Sequence, residues 1–194
     1  MNKDFNFTQK GIHAIMDNFY YFNPDTVFSE KELQKIEKDI KDIKFNTSSA
    51  GQPKTKSITL NERWKWFYEK IEWMVNEAND CLWNFDLYSI PENIQYIEHQ
   101  VTDESGHDWK MDSGRESESL RKISVMIQLS DSDEYEGGDL EIFRGGPLKG
   151  PREKAGRRKG TVFVYPSYMM NRVAPVTKGV RKSFVLWVGG EHYK

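Results

Sequence analysis

Cysteine and histidine are the residues this sequence has least of. Its 194 residues include one cysteine, Cys81, and four histidines: His13, His99, His107 and His192. A single thiol excludes an internal disulfide and any zinc or iron–sulfur site built on several cysteines. A histidine-ligated metal would have to draw on those four side chains. Long apolar runs are missing too: no stretch of about 18 apolar residues exists, which excludes a membrane-spanning helix. The segment MNKDFNFTQK lacks the apolar centre of a secretory leader. With the lone cysteine, this predicts a cytoplasmic protein. There is no GxSxG elbow, no P-loop and no dinucleotide-type glycine motif. A net charge of -2 gives no general pull toward nucleic acid or membranes.

What is present suits a charged surface around an ordinary core. Hydrophobic residues make up 37% and charged residues 30% of the chain, and mean hydropathy is -0.76. The length predicts one domain over residues 1–194, with a helical front at about 25–80 and a strand-rich core at about 90–190. Ser29 followed by Glu32 is a capping-box pair opening SEKELQKIEKDIKDIKF. Leu33, Ile36, Ile40 and Ile43 then recur at helical spacing, predicting a helix from about residue 30 to 44. Residues 45–58 (NTSSAGQPKTKSIT) read as a loop. Asn61 is placed to cap a second helix, with Trp64, Tyr68, Ile71, Val75 and Ala78 on one side and Trp66 and Trp73 off it. Cys81, beside an apolar helix end (NDCLWNF), reads as a buried structural thiol.

Beyond residue 90 the pattern changes. NIQYIEHQV, LRKISVMIQLS, DLEIF, GTVFVYPS and SFVLWVGG are short β-branched and aromatic runs separated by turn residues. Helices first and strands afterwards predict an α+β fold, with helices on one face of an antiparallel sandwich. Between strands, DSDEYEGGDLE (131–141) is acidic and RGGPLKGPREKAGRRKG (144–160) is basic. This pair reads as a solvated hairpin with mutually neutralising arms, or as a loop for a partner or phosphate.

The stretches RKISVMIQLSDSDEYEGGDLEIF, VYPS and RVAPVTKGVRKSFVLWV resemble the prolyl-4-hydroxylase-like branch of the Fe(II)/2-oxoglutarate-dependent oxygenases, in versions common in bacteria and bacteriophages. The resemblance runs from about residue 20 to 190. It implies a double-stranded β-helix (jelly-roll) core with N-terminal helices packed on one sheet. It also implies an iron held by two histidines and one carboxylate, and here the sequence departs from the family. DWKMD keeps the carboxylate as Asp112 but has Lys110 where the first histidine belongs. NRVAPV has Asn171 where the second belongs.

A lysine ammonium offers no lone pair, and a neighbouring carboxylate holds it protonated. Lys110 is therefore expected to occupy the vacant metal position, its ammonium replacing the metal's positive charge beside Asp112. An Asn171 carbonyl is a weak ligand for Fe(II). His107 is the nearest histidine for a rescue. His99 lies where relatives carry a tyrosine that helps hold 2-oxoglutarate. His13 and His192 read as core or surface residues. Arg181 and Ser183 match the positions that hold the distal carboxylate of 2-oxoglutarate, and that pair could take another dicarboxylate. The alternative for Arg181 is an ion pair with an internal acid.

The expectation is thus a catalytically degenerate dioxygenase-like binding or structural module with no cofactor. A protein partner is expected, with segment 144–160 as a contact; no membrane or nucleic-acid partner is indicated. A phage-encoded chain would act in the host cytoplasm or the virion. The alternative is a working hydroxylase using Fe(II) and 2-oxoglutarate at an unusual site of Asp112, Asn171 and a recruited histidine.

Overall fold

The computed structural model describes residues 12–16, 19–104, 107–143 and 152–192. In chain order it contains β1 (Ile12–Met16), β2 (Phe19–Phe22), α1 (Pro24–Val27), α2 (Glu30–Lys41), β3 (Lys54–Ile58), α3 (Lys65–Leu82), β4 (Leu87–Ser89) and β5 (Ile94–Gln100). A 3-10 turn (Glu116–Leu120) then leads into β6 (Arg121–Gln128), β7 (Tyr135–Gly137), β8 (Leu140–Phe143), β9 (Arg152–Lys154), β10 (Val162–Pro166), β11 (Asn171–Val173) and β12 (Val176–Gly190). The large sheet runs β1-β2-β10-β6-β12-β5-β3, with β7 and β4 added at the two ends of the long β12; the small sheet runs β11-β8-β9. All the pairings are antiparallel. This is the double-stranded β-helix with helices on one sheet.

Strand alternation divides the interior in two, because successive side chains point to opposite faces. From β6, Ile123, Val125 and Ile127 face the helices; from β12, Phe184, Leu186 and Val188 do so; from β10, Val162 and Val164. The alternate residues Met126, Phe163 and Tyr165 lie between the sheets with Leu140, Ile142 and Met169. α2 and α3 supply the other side of the first layer through Leu33, Ile36, Ile40, Trp64, Phe67, Ile71, Met74 and Val75. Phe67 and Phe184 meet edge-on at 5.3 Å, with Trp64 6.0 Å from Phe184.

α2 starts where the capping box places it: Glu32 N donates to Ser29 Oγ (3.3 Å) and Ser29 N donates to Glu32 Oε2 (2.7 Å). It ends at Lys41, three residues before the expected end, leaving Ile43 only partly buried. α3 begins at Lys65, not at Asn61, because the Asn61 side chain is used in a local turn that accepts from Arg63 N (3.0 Å). Its wide buried face holds Trp64 and Phe67, with Trp66 partly covered and Trp73 exposed. Cys81 is exposed, correcting the expectation of a buried thiol. The buried stripe of α3 runs through Ile71, Met74, Val75 and Ala78 toward Leu82, so position 81 falls outside it.

Two further expectations change. The end of the expected 45–58 loop is β3, an edge strand that turns Lys56 and Ile58 inward and pairs with β5. Among the described residues, strands also precede the first helix: β1 and β2 form a hairpin that joins β10. Among the described residues no helix is long and apolar enough to cross a membrane.

Candidate ligand site between the sheets

Lys110 and Asn171 face each other in an antiparallel bridge. Lys110 N donates to Asn171 O (2.9 Å) and Asn171 N donates to Lys110 O (2.8 Å). Such a pair projects both side chains to one face. Asp112 joins them because its own N–H and that of Ser113 both donate to Ser167 O, each at 2.9 Å. The three positions singled out in DWKMD and NRV, 59 residues apart at the nearest, are thus brought to one place.

Asp112 is buried. Its Oδ2 accepts from Ser124 Oγ (2.7 Å) and from the Tyr165 hydroxyl (3.2 Å), and Ser124 Oγ also meets Ser167 Oγ at 2.9 Å. Burial, and then the Asp112 charge, push the Tyr165 hydroxyl well above its ordinary pKa, so it stays a donor. Lys110 Nζ stands 3.6 Å from Asp112 Oδ1, close enough for an ion pair but too far for a hydrogen bond, and its side chain is 61% exposed. The ammonium thus lies on the Asp112 side but at the exposed edge, outside hydrogen-bond reach, and does not fill the position expected for it. The Asn171 amide nitrogen is directed at Met169 O (3.3 Å) and Lys110 O (3.4 Å). Arg121 steadies this end: it donates to Asp112 O (3.0 Å), is clamped by Glu92 at 2.5 and 2.7 Å, and stacks 3.9 Å from the Trp187 ring.

This donor set does not fit a 2-histidine-1-carboxylate iron centre. It offers one carboxylate already bonded to two hydroxyls, one ammonium and one amide. His107 supplies no replacement, since its Nδ1 faces Val173 O (3.0 Å) and its Nε2 faces Asp103 O (3.3 Å). His99 lies opposite Arg181 on the neighbouring strand. Its buried Nδ1 has no hydrogen-bond partner, and Asp103 Oδ2 is 3.8 Å away. Burial first, then the Arg181 charge, lower its pKa to about 3, so it is neutral at physiological pH. Among the described residues no cluster of three or more histidine, cysteine or acidic side chains is arranged to hold a metal. His192 meets Ser119 Oγ (3.1 Å), and His13 lies on β1.

The other end of the space is built on β12. Arg181 is 1% exposed, donates to Ser183 Oγ (3.1 Å) and contacts Met126 Sδ (3.3 Å). The alternative of an internal acid is not realised: among the described residues no carboxylate lies in ion-pair range of Arg181. Burial lowers its pKa, the expected sign for an under-compensated cation. The glycines of EGGD let β7 close over it. A Cβ on Gly137 (φ 70°) would meet Pro175 O at 2.2 Å, and one on Gly138 (φ 64°) would meet Arg181 Cδ at 3.1 Å.

Sequence reasoning did not single out Ser124, Ser167, Tyr165 or Met126. Their signal was the alternation of RKISVMIQ and VFVYP, which sets the inward register once the helix-facing set is known. Residues 144–151 of the basic segment lie outside the described residues. In the remainder, Arg152 pairs with Glu141, Lys154 and Arg157 with Asp139, Arg158 with Asp25 and Lys159 with Glu37. The described part therefore neutralises its charge on its own fold.

Comparison with known proteins agrees with this architecture. Residues 94–189 match the family described as 2OG-Fe(II) oxygenase superfamily. A PKHD-type hydroxylase of Synechococcus sp. (strain CC9311) is 29% identical over 115 residues, covering 56% of this chain and 49% of the relative. One from Teredinibacter turnerae is 39% identical over 72 residues, 37% of this chain and 30% of the relative. The chain therefore spans half or less of the length of these relatives. Among solved structures, an oxidoreductase of the 2OG-Fe(II) oxygenase family from Burkholderia pseudomallei superposes with TM-score 0.68 at 14% identity, over 90% of this chain and 85% of that one. A Pseudomonas putida prolyl-4-hydroxylase gives 0.61 at 13% identity, over 90% and 94%. Residues 94–189 of this chain thus match the 2OG-Fe(II) oxygenase superfamily, and the chain shares its fold with the solved oxygenases and prolyl hydroxylases.

Proposed function

We propose that this oxygenase-fold chain acts as a binding module and has given up iron chemistry. One observation carries the reading: where the family places its metal ligands, this chain presents an ammonium 3.6 Å from a buried carboxylate, and an amide directed at carbonyl oxygens. Placing Fe(II) there would set a dication against Lys110 and leave it one good ligand. The scaffold is otherwise intact, which supports retained binding without the reaction. A protein partner belongs to this reading; the paired charges of residues 152–159 lend that contact no support, so the rims of the inter-sheet opening are the better surface.

A second reading is favoured by the family match and by the hydroxylase names of the relatives: an Fe(II)- and 2-oxoglutarate-dependent hydroxylase with an unusual ligand set. Anaerobic titration with Fe(II), followed by 2-oxoglutarate and oxygen, separates the two. The binding-module reading expects no stoichiometric iron and no succinate above a protein-free control. One iron per chain with catalytic succinate release overturns it.

A further inference from the structure

A cleft lies on the helix side of the large sheet, away from Asp112 and Arg181. One wall is α3. The other is the segment 87–93, which leaves β12 at β4 and rejoins the sheet at β5. Gly190 lets this wall form: a Cβ there would meet Asp86 O at 2.2 Å, so a larger residue would push β4 away from β12. The cleft holds about 570 Å³, a volume within the range of small-molecule sites.

Its floor is apolar. Ile71, Val75 and Val188 line it and are at most 7% exposed. Tyr68 adds a ring held in place by its hydroxyl, which donates to Ile58 O (3.1 Å). On the rim, Leu60 and Tyr88 are 57% and 58% exposed, large side chains that the fold leaves in water.

Four ionic side chains also line the cleft: Lys65, Glu69, Glu72 and Glu92. Glu92 is neutralised by Arg121, at 2.5 and 2.7 Å. Lys65 and Glu69 stand one turn apart on α3 and offset each other. Glu72 is left over. It follows Glu69 at i+3, a spacing that disfavours like charges. The cleft therefore combines an apolar, partly aromatic interior with one uncompensated negative charge. An anion would face two neighbouring carboxylates. A neutral apolar molecule would take water from Glu72 and return nothing. A flat apolar body with one positive charge satisfies both parts, and the tyrosine rings favour a cation as well.

We propose that the cleft between α3 and the segment 87–93 binds a monocationic amine with an aromatic body, its rings on Ile71, Val75 and Tyr68 and its ammonium toward Glu72. The site is separate from the space between the sheets and holds whether or not iron binds there.

The test is an NMR titration of the full chain, followed at side-chain methyls, with three indoles of similar shape: tryptamine as the cation, tryptophol as the neutral form and indole-3-acetate as the anion. A ligand of this size at ordinary efficiency binds at about 1 mM. Tryptamine is expected to shift the methyls of Ile71, Val75 and Val188 saturably. It should bind about fivefold tighter than tryptophol, the effect of one exposed ion pair, and indole-3-acetate should bind more weakly than either. Added salt should shrink the tryptamine advantage. Glu72→Gln should bring tryptamine down to the affinity of tryptophol while the melting temperature stays put, because Glu72 is exposed and unpaired among the described residues. Four results each overturn the proposal. These are no saturation with tryptamine by about 10 mM, shifts centred away from the cleft, indole-3-acetate binding as well as tryptamine, and an unchanged preference in the Glu72→Gln protein.

Discussion

The two faces of the large sheet have opposite chemistry. The face under α2 and α3 is apolar and aromatic, built from Trp64, Phe67, Phe184, Ile36 and Ile71 at 0–1% exposure. The face toward the small sheet, with the small sheet across from it, buries Asp112, Ser124, Ser167, Asn171, Arg181 and Ser183 among its apolar residues. The first face carries folding free energy from burial and packing. The second gives up some of it to keep polar groups buried. Lys110 and Asn171 lie at the small sheet, across from the second face, and their mutual contact is made by backbone N–H and C=O groups that any residue provides, so the side chains at these two positions can vary without loss of the fold.

The sharpest way to break the comparison is to cut each face. Phe67→Ala, on the dry face, should cost about 3–5 kcal/mol from lost transfer energy and a cavity, read as a large fall in thermal or urea midpoint. A loss under about 1 kcal/mol would mean that α3 is not anchored as described. Arg181→Met, on the wet face, should act in the other direction. In ligand-free protein, replacing a buried cation that lacks a carboxylate by a similar-sized apolar chain should stabilise by on the order of 1–4 kcal/mol. Destabilisation there would reveal an internal counter-charge. A milder contrast comes from pH. The folded pKa of His99 is about 3, below its unfolded value of 6.5. Between those values the unfolded chain binds more protons, so stability contributed by neutral His99 is complete above pH 6.5 and is lost as pH falls toward 3. His99→Gln should flatten that slope in the urea midpoint measured from pH 7 to pH 4.

Much of this division was legible in the sequence, and unevenly so. The capping box of Ser29 and Glu32 and the stripe Leu33, Ile36, Ile40 mark α2 directly, because both signals are local. β5, β6, β8, β10 and most of β12 show as β-branched runs. β3 stays hidden because KTKSI is polar by composition and becomes a strand only by pairing with β5. The start of α3 is misread because Asn61 satisfies a turn as well as it would a cap. The exposed Cys81 is one position off a stripe that only the packed structure reveals. At the site, Lys110, Asp112, Asn171, Arg181 and Ser183 follow from motif order. The hydroxyls on Asp112 and, among the described residues, the lack of a carboxylate in ion-pair range of Arg181 depend on strand register, which no local pattern states.

The smallest expected effect is also the most informative about the wet face. Lys110→Ala removes a side chain 61% exposed whose ammonium is 3.6 Å from Asp112. Exposed ion pairs contribute about 0–1 kcal/mol, and Asp112 keeps its bonds from Ser124 and Tyr165. The melting temperature should therefore move by no more than the effect of about 0.5 kcal/mol. A loss above about 2 kcal/mol would make Lys110 a structural counter-ion that Asp112 cannot do without, leaving nothing over for a ligand. A near-zero loss means that the fold does not need the ammonium.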